Sequence, residues 1–167
     1  IQALMQAALE ARNRGYEALI LSSTIEGETR EVAKVHTAVA QEILASGLPL
    51  EAPACVISGG ETTVTITGSG LGGRNQEFCL AAAIEMEGLP ARVVVLSGGT
   101  DGNDGPTDAA GAIVDPWTIQ RGSAAGLKAG DFLRDNNAYP YLKATGDLLI
   151  TGPTKTNVMD VRLVLVT

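Results

Sequence analysis

The sequence is poor in aromatic residues and in cysteine, and each shortage narrows the possible folds. Aromatic side chains make up 4% of the 167 residues, whereas hydrophobic residues together make up 45%. The core must therefore consist mainly of aliphatic side chains and alanine, which suits helices packed on a sheet. The two cysteines, Cys55 and Cys79, stand in apolar runs. We expect buried, reduced thiols there rather than a disulfide framework.

Runs of basic residues and long apolar runs are missing as well. The chain has 12 basic and 19 acidic residues, which gives a formal net charge of −7. This argues against a nucleic-acid partner, so an anionic substrate must be attracted by local charges. No apolar run approaches the roughly 18 residues of a membrane span. We predict a cytoplasmic protein without a membrane partner, and the helical pattern around Ile1 predicts a piece of a longer protein.

Alternating helical and extended segments predict the fold class. Apolar residues recur at helical spacing over 1–13 and 28–46, and an alanine-rich helix is predicted over 75–87. The run at 62–67 is rich in β-branched residues, and we expect it to form a hairpin with the strand before it. Together the segments predict an α/β fold, a three-layer α/β/α sandwich on a mixed β-sheet, with residues 1–167 as one domain. The other predicted strands are 18–21, 54–58, 92–96, 147–151 and 161–166, and the other predicted helices are 118–125 and 131–134.

The glycine-rich loop (residues 68–73, GSGLGG) is the most distinctive segment. Its four glycines let the backbone adopt positive φ and approach a ligand closely. The helix that follows presents unpaired backbone N–H groups to the loop, which suits an anion. Arg74 adds a guanidinium whose donors match a carboxylate or a phosphate. These features favour a phosphate or carboxylate cradle.

Two other interpretations of the glycine-rich loop stay open. Gly68, Gly70 and Gly73 match the G-x-G-x-x-G spacing of dinucleotide-binding loops, which would indicate a nicotinamide cofactor. An acidic residue is then expected at the end of the next strand, about 20 residues further on. The predicted strand at 92–96 ends without one, so the dinucleotide interpretation is the weaker one. The remaining interpretation is a glycine turn that serves packing alone.

Three further polar loops follow or precede predicted strands, at 58–61, 100–108 and 151–157. Ligands of open α/β sheets usually bind beyond the ends of strands. We therefore expect these loops to meet Arg74 at one site.

The middle loop carries closely spaced carboxylates. Asp101 and Asp104 are suited to hold a Mg²⁺ ion beside phosphate groups, although the loop does not fit an EF-hand. Asx turns that hold a tight loop are the alternative. Glu61 is predicted either to orient Arg74 or to lie at the rim. The single histidine, His36, is predicted to be a surface or packing residue, and no Ser/His/Asp constellation or P-loop is present.

Four separated blocks of the chain resemble one known family. In order, they are similar to the C-terminal (MOFRL) domain of class II glycerate 2-kinases, whose bacterial members are often named hydroxypyruvate reductase in tartrate-utilisation operons. The resemblance covers roughly residues 54–167 and extends more loosely to 26–32. The blocks are 59–64 (GGETTV), 70–77 (GLGGRNQE), 99–111 (GTDGNDGPTDAAG) and 151–160 (TGPTKTNVMD).

The resemblance implies an enzyme that phosphorylates D-glycerate to 2-phosphoglycerate, with ATP and Mg²⁺ as cofactors. The family's active site lies between this domain and a larger N-terminal Rossmann-like domain, which this chain lacks. We therefore expect the isolated chain to be inactive, with glycerate, ATP and that domain as partners, and we keep a homodimer as a further expectation. The alternatives are an NAD(P)-dependent hydroxypyruvate reductase of tartrate degradation and a non-catalytic ligand-binding or lid domain.

The family pattern also implies individual roles. Arg74 matches the family's catalytic candidate in this domain, and Asp101 is the second predicted catalytic residue. Asp101 and Asp104 are the predicted metal ligands. Lys155 stands where the family usually has glycine, which leaves the role of its loop open. The predicted substrate- and phosphate-binding residues are Gly59, Gly60, Glu61, Gly70, Gly72, Gly73, Asn75, Glu77, Thr100, Asn103, Thr154, Thr156 and Asn157.

Overall fold

Helices and strands alternate along most of the chain, as the spacing of its apolar residues predicts. The computed structural model describes residues 1–167. No helix is both long enough and apolar enough to cross a membrane. In chain order the elements are α1 (Gln2–Asn13), β1 (Glu17–Ile25), α2 (Thr29–Ser46), β2 (Ala54–Gly60), α3 (Arg74–Glu85), β3 (Val93–Gly99), β4 (Gly111–Val114), α4 (Thr118–Ala124), α5 (Ala129–Arg134), α6 (Ala138–Thr145), β5 (Leu148–Leu149) and β6 (Asp160–Val166).

The strands form one mixed sheet in which the last strand lies in the middle. The strand order is β1-β2-β6-β3-β4-β5. β1 and β2 are parallel, whereas β6 is antiparallel to both of its neighbours, β2 and β3. Asp160, the first residue of β6, pairs with Gly60 on one side and with Gly99 on the other. Three chain segments therefore meet at this end of the sheet: β2 and β3 end there and β6 begins.

Helices cover both faces of the sheet, which confirms the predicted three-layer α/β/α architecture on a mixed sheet. On one face, α2 to α6 pack over a core that includes Val56, Phe78 and Val164. The alanines of α3 are almost fully buried, which lets this helix lie close to the strands. On the other face, α1 packs Leu4 and Ala8 against β2.

Both cysteines are buried and unpaired, as predicted. Burial raises the pKa of Cys55 to about 11 and also raises the pKa of Cys79. Both thiols are therefore protonated at neutral pH and serve as small apolar side chains.

The observed elements differ from the predicted ones in four places. Residues 62–67 form no strand, so the hairpin prediction is wrong: Thr63 makes only an isolated bridge to Glu28. The threonines there bond to neighbouring loops instead of joining the sheet, for example Thr65 Oγ1 to Glu28 at 2.8 Å. The strand predicted over 147–151 is limited to β5. β4 and α6 were not predicted, because β4 is short and Pro140 in the first turn of α6 disguises its helical pattern.

Candidate functional site

The predicted loops and the start of α3 meet at the sheet end that Asp160 marks. The N–H of Thr154 donates to the carbonyl oxygen of Asp101 at 3.1 Å, which joins the last polar loop to the middle one. Glu61, directly after β2, forms an ion pair with Arg74 at 3.0 Å. Glu61 and Asp160, which are far apart in the sequence, therefore lie beside one guanidinium. The 151–157 loop is joined to the middle loop through Asp101.

Arg74, the first residue of α3, is held between two carboxylates. Its Nε and Nη2 donate to the two oxygens of Asp160 at 2.7 and 3.0 Å, a bidentate geometry. Its Nη1 lies 3.0 Å from Glu61, whose side chain is 56% exposed. The hydrogen bond to Asp160 is the main cause of the raised pKa of Arg74. The guanidinium is therefore permanently charged, and its Nη1 is available to an anion that displaces Glu61.

Arg74 lines a cavity of about 810 Å³. A second cavity, of about 310 Å³, includes Gly59, Gly60 and Asp160 in its wall. The predicted site residues are thus divided, and several of them line neither cavity: Asn75, Thr100, Asp101, Asn103, Thr154, Thr156 and Asn157. The predicted residues in the wall of the larger cavity are Glu61, Gly70, Gly72, Gly73, Arg74, Glu77 and Asp104.

A carboxylate of the chain itself closes the N-terminus of α3. Asp104 accepts hydrogen bonds from the N–H groups of Asn75 at 3.1 Å and Gln76 at 2.8 Å, and from Asn75 Nδ2 at 3.2 Å. Burial raises the pKa of Asp104, and these hydrogen bonds oppose that rise. The structure corrects the prediction that these amides receive an external anion, because the middle loop folds back over the helix and supplies the anion.

The glycine-rich loop packs against the segment between α5 and α6. A Cβ on Gly70 would lie 2.3 Å from Cβ of Asn137, and one on Gly73 would lie 2.3 Å from Cγ of Asp104. The N–H of Leu71 donates to Oδ1 of Asn137 at 2.8 Å. These glycines permit close contact between chain segments. The pyrophosphate of a dinucleotide would need the space that these segments fill.

Glu77 is almost fully buried and is already paired. Arg30 donates two hydrogen bonds to its Oε1, at 3.0 and 2.8 Å, and Asn136 Nδ2 donates to its Oε2 at 3.0 Å. Glu77 therefore joins α2 and the turn before α6 to α3. These partners occupy both carboxylate oxygens of Glu77. A role of Glu77 in substrate binding stays a prediction.

The middle loop is held by its own side chains. Thr100 Oγ1 donates to the carbonyl oxygen of Met159 at 2.7 Å. Oδ1 of Asp101 accepts the N–H of Asn103 at 3.0 Å, which is an Asx turn. These contacts explain the tight loop, and catalytic or binding roles of Thr100, Asp101 and Asn103 stay predictions.

The 151–157 loop is similarly closed on itself. The N–H of Thr156 donates to Thr154 Oγ1 at 3.4 Å, and Asn157 Nδ2 donates to Oδ2 of Asp101 at 3.3 Å. Lys155 is exposed and has a φ of 61°, in the left-handed region that favours glycine. The glycine usual in the family therefore suits the backbone of this turn. Whether Thr154, Thr156 and Asn157 contact substrate stays a prediction.

The two aspartates predicted to bind Mg²⁺ make separate contacts. Both oxygens of Asp104 accept N–H groups of α3, and both oxygens of Asp101 accept bonds within the two loops. No group of three or more His, Cys, Asp and Glu side chains is arranged to hold a metal ion. The residues of this chain do not fit a Mg²⁺ site by themselves, and the metal stays a prediction.

Sequence reasoning missed two buried charges, Asp160 and Arg162, which share the face of β6 that packs against α2 to α6. Asp160 closes the last of the four family blocks. Arg162 interrupts an otherwise apolar strand, and a charge in a buried strand requires a partner. That interruption was the signal available in the sequence. Burial lowers the pKa of Arg162.

His36 is a packing residue, one of the two roles (surface or packing) that the sequence predicts. Its Nε2 lies 2.8 Å from Ser58 Oγ, and its Nδ1 lies 2.8 Å from the carbonyl oxygen of Val32. The side chain is 1% exposed. Burial lowers its pKa, so the imidazole is neutral and links α2 to β2.

Comparisons with known proteins show a matching family, similar sequences and a similar solved structure. Residues 54–160 match the MOFRL family. A D-glycerate 2-kinase from Thermotoga maritima is 45% identical over 156 residues, which are 93% of this chain and 37% of that protein. A putative hydroxypyruvate reductase from Agrobacterium vitis is 43% identical over 98% of this chain and 38% of that protein. The crystal structure of a glycerate kinase from Thermotoga maritima has a TM-score of 0.96 and 43% identity, over 98% of this chain and 39% of that one.

Proposed function

This chain belongs to the MOFRL family, and from that membership we propose that it forms one wall of the active site of a glycerate 2-kinase. The complete enzyme transfers a phosphoryl group from ATP to D-glycerate and forms 2-phosphoglycerate. The chain spans 37% of the length of the related D-glycerate 2-kinase. The other wall of the site, including groups that bind the nucleotide, then comes from a larger N-terminal domain.

The observation that carries this proposal is the placement of Arg74. Phosphoryl transfer depends on positioning and on neutralising charge rather than on covalent chemistry by the protein. Arg74 supplies a fixed positive charge in the wall of the larger cavity. Its Nε and Nη2 are held by Asp160, so Nη1 is left to bind the carboxylate of glycerate or the transferring phosphoryl group. Glu61 leaves Nη1 when that anion arrives.

The size of the cavity supports a substrate pair rather than a small acid alone. Its volume is about 810 Å³, and pockets of roughly 300–1,000 Å³ hold drug-sized ligands. A three-carbon acid would fill only part of this space. Glycerate together with the phosphates of ATP would use more of it.

The side chains of this chain do not account for a magnesium ion by themselves. Family resemblance implies Mg²⁺ beside ATP, where the ion would neutralise phosphate charge. Asp104 is committed to α3 and Asp101 to its own loop. If the ion takes part, most of its ligands come from the phosphates, from water and from the N-terminal domain.

The reductase alternative is less well supported. A relative from Agrobacterium vitis carries the name putative hydroxypyruvate reductase. A nicotinamide cofactor would need an open glycine-rich loop and a free helix N-terminus. Here the loop packs against the segment before α6, and Asp104 caps the helix. The kinase therefore stays the main proposal.

The cellular setting belongs to the same proposal. The free, buried thiols of Cys55 and Cys79 agree with a reducing compartment, so we place the enzyme in the cytoplasm. The link to tartrate metabolism and the homodimer stay predictions.

The proposal is tested in the full-length enzyme by replacing Arg74. We expect Arg74→Ala to lower kcat for glycerate-dependent ADP formation by about 10²- to 10³-fold, the usual effect of removing a group that stabilises transition-state charge. Arg74→Lys keeps the charge but loses the bidentate contact with Asp160, and we expect an intermediate loss. Arg14→Ala is the matched control, because Arg14 is an exposed arginine that pairs with Glu10 on α1.

Two results would contradict the proposal. Turnover of Arg74→Ala within about threefold of wild type corresponds to less than 1 kcal/mol of barrier and would remove Arg74 from the chemistry. NADH oxidation with hydroxypyruvate, in the absence of glycerate-dependent ADP formation, would favour the reductase.

A further inference from the structure

Asp160 and Arg162 lie next to one another on the buried face of β6, directly beneath Arg74. Both side chains are 0% exposed. We infer that these two residues are positioning residues, which hold the guanidinium of Arg74 in one orientation with Nη1 towards the larger cavity. This inference rests on the proposed function only in its statement of what Arg74 does there.

Asp160 is saturated with donors. Arg74 donates through Nε and Nη2 at 2.7 and 3.0 Å. Asn75 Nδ2 donates at 3.0 Å, and Arg162 Nη2 donates at 3.1 Å. A carboxylate offers about four acceptor sites, so Asp160 cannot rotate without breaking bonds to both arginines. The orientation of its carboxylate therefore fixes the plane of the Arg74 guanidinium.

Arg162 anchors Asp160 from within the core. Its guanidinium lies 5.4 Å from the ring centroid of Phe78, and its Nε and Nη1 have no hydrogen-bond partner. A buried arginine with unsatisfied donors adds little to the stability of a core, because apolar residues of similar volume often give equal or greater stability. Its retention is explained if its hydrogen bond holds the Asp160 carboxylate in place.

A second path ties the backbone of Arg74 to the same anchor. Arg162 Nη2 donates to Thr62 Oγ1 at 3.0 Å, and Thr62 Oγ1 donates to Thr29 Oγ1 at 3.0 Å. Thr29 Oγ1 then donates to the carbonyl oxygen of Arg74 at 2.9 Å. The two paths form a closed ring, so both the main chain and the side chain of Arg74 are held by Arg162.

This ring explains why Arg74 can act at the surface of the cavity without losing its orientation. A free arginine samples many rotamers, and ordering it at the moment of binding opposes the reaction. Here the ordering is completed during folding, which is the arrangement expected of a preorganised charge. Asp160 and Arg162 themselves need not touch substrate.

The experiment combines a direct measurement on Arg74 with kinetics. In nuclear magnetic resonance spectra of the full-length enzyme, the Nε–Hε signal of Arg74, assigned from its absence in Arg74→Lys, should be protected from exchange with water. In Asp160→Asn we expect that signal to be lost by rapid exchange. In the full-length enzyme the same substitution should lower kcat/KM for glycerate by about 100-fold, the scale of a displacement of about 1 Å. An unchanged Hε signal would overturn the inference, and so would unchanged kcat/KM in an enzyme whose Arg74→Ala variant loses activity.

A second variant guards against simple misfolding, since Asp160→Asn leaves Arg162 without its counter-charge. Asp160→Asn/Arg162→Met removes both buried charges. We expect it to fold by circular dichroism, yet to show neither the Arg74 Hε signal nor wild-type kcat/KM. Recovery of both would mean that Asp160 only neutralises Arg162, and the positioning role would be wrong. Loss of the Hε signal in Asp160→Asn, combined with full activity of Arg74→Ala, would support the positioning role and overturn the proposed function.

Discussion

The carboxylate of Glu61 lies 3.0 Å from Nη1 of Arg74, the nitrogen that Asp160 leaves free. A carboxylate of the chain thus occupies the place proposed for an anionic substrate. Because the side chain of Glu61 is 56% exposed, it can be displaced at low cost. The first prediction follows from this competition.

Replacing Glu61 by Gln should strengthen binding of the anionic substrate. Exposed ion pairs contribute about 0.2–1 kcal/mol, which corresponds to a decrease in the KM for glycerate of up to roughly fivefold. Steady-state kinetics of the full-length enzyme measure this. Glu10→Gln, which removes an exposed glutamate paired with Arg14 on α1, should leave KM unchanged. A higher KM in Glu61→Gln would show that Glu61 binds substrate instead of competing with it.

Replacing Asp104 should lower the free energy of unfolding and leave the Mg²⁺ concentration required for turnover unchanged. Asp104→Ala leaves the N–H groups of Asn75 and Gln76 unsatisfied, and we expect a loss of about 1–3 kcal/mol in the free energy of unfolding. Asp104→Asn keeps one acceptor and should lose less. Asp108→Asn, on the same loop but exposed, serves as control in urea denaturation. Unchanged stability together with a raised Mg²⁺ requirement for turnover would restore the metal interpretation.

An alanine at Gly70 should be destabilising. The added Cβ would lie 2.3 Å from Cβ of Asn137 and 2.5 Å from the carbonyl oxygen of Asp135. Overpacking of this kind costs about 1–3 kcal/mol, measurable as a lower melting temperature. Gly130→Ala in α5 is the matched control, since its nearest neighbour, the Arg134 side chain, is 3.5 Å away. A Gly70→Ala variant as stable as wild type would mean that the loop has room for a ligand.

The single histidine should make stability depend on pH. Burial lowers the pKa of His36 below its usual 6.5. The hydrogen bond to the carbonyl oxygen of Val32 opposes this shift, whereas the positive charge of Arg162 adds to it. Below pH 6.5 the unfolded chain therefore binds a proton that the folded chain rejects. The free energy of unfolding should fall as pH drops from 6.5 towards the folded pKa, by at most about 1.4 kcal/mol per unit.

Urea denaturation at pH 7.5, 6.5 and 5.5 measures this slope. Carboxylates contribute at the lower end, so His36→Gln, which cannot titrate, is the reference. The slope due to His36 is the difference between wild type and this variant. Equal slopes in the two proteins would show that His36 titrates normally when folded.

Replacing Lys155 by Gly should stabilise the chain. Lys155 has a φ of 61°, and a left-handed backbone costs a residue with a Cβ about 1–2 kcal/mol. The greater freedom of glycine in the unfolded chain offsets about 0.5–1 kcal/mol of this, so the net gain in the free energy of unfolding should be up to about 1.5 kcal/mol, measured by thermal unfolding. A lower stability, or a raised KM for glycerate, would mean that the lysine makes contacts of its own.

Much of the fold could be predicted from the sequence because it depends on local patterns. The 3.6-residue spacing of apolar side chains identified α1, α2 and α3, and short apolar runs identified β1, β2, β3 and β6. Arg74 stood out because a charged residue follows a run of glycines at a helix start. That local pattern was enough to predict a site at the ends of several strands. The ligand-binding role that it gave the glycines stays a prediction, beside the packing contacts that they make.

The tertiary structure alone decided how the site is built. Arg74 and Asp160 are separated by 86 residues, and they meet because β6 inserts between β2 and β3 rather than at an edge. Asp104 reaches the start of α3 from 28 residues away in the same manner. Periodicity reports which face of an element is buried, but not which distant charge will lie beside it. Such partners follow from strand order and loop closure, which depend on the whole chain folding together.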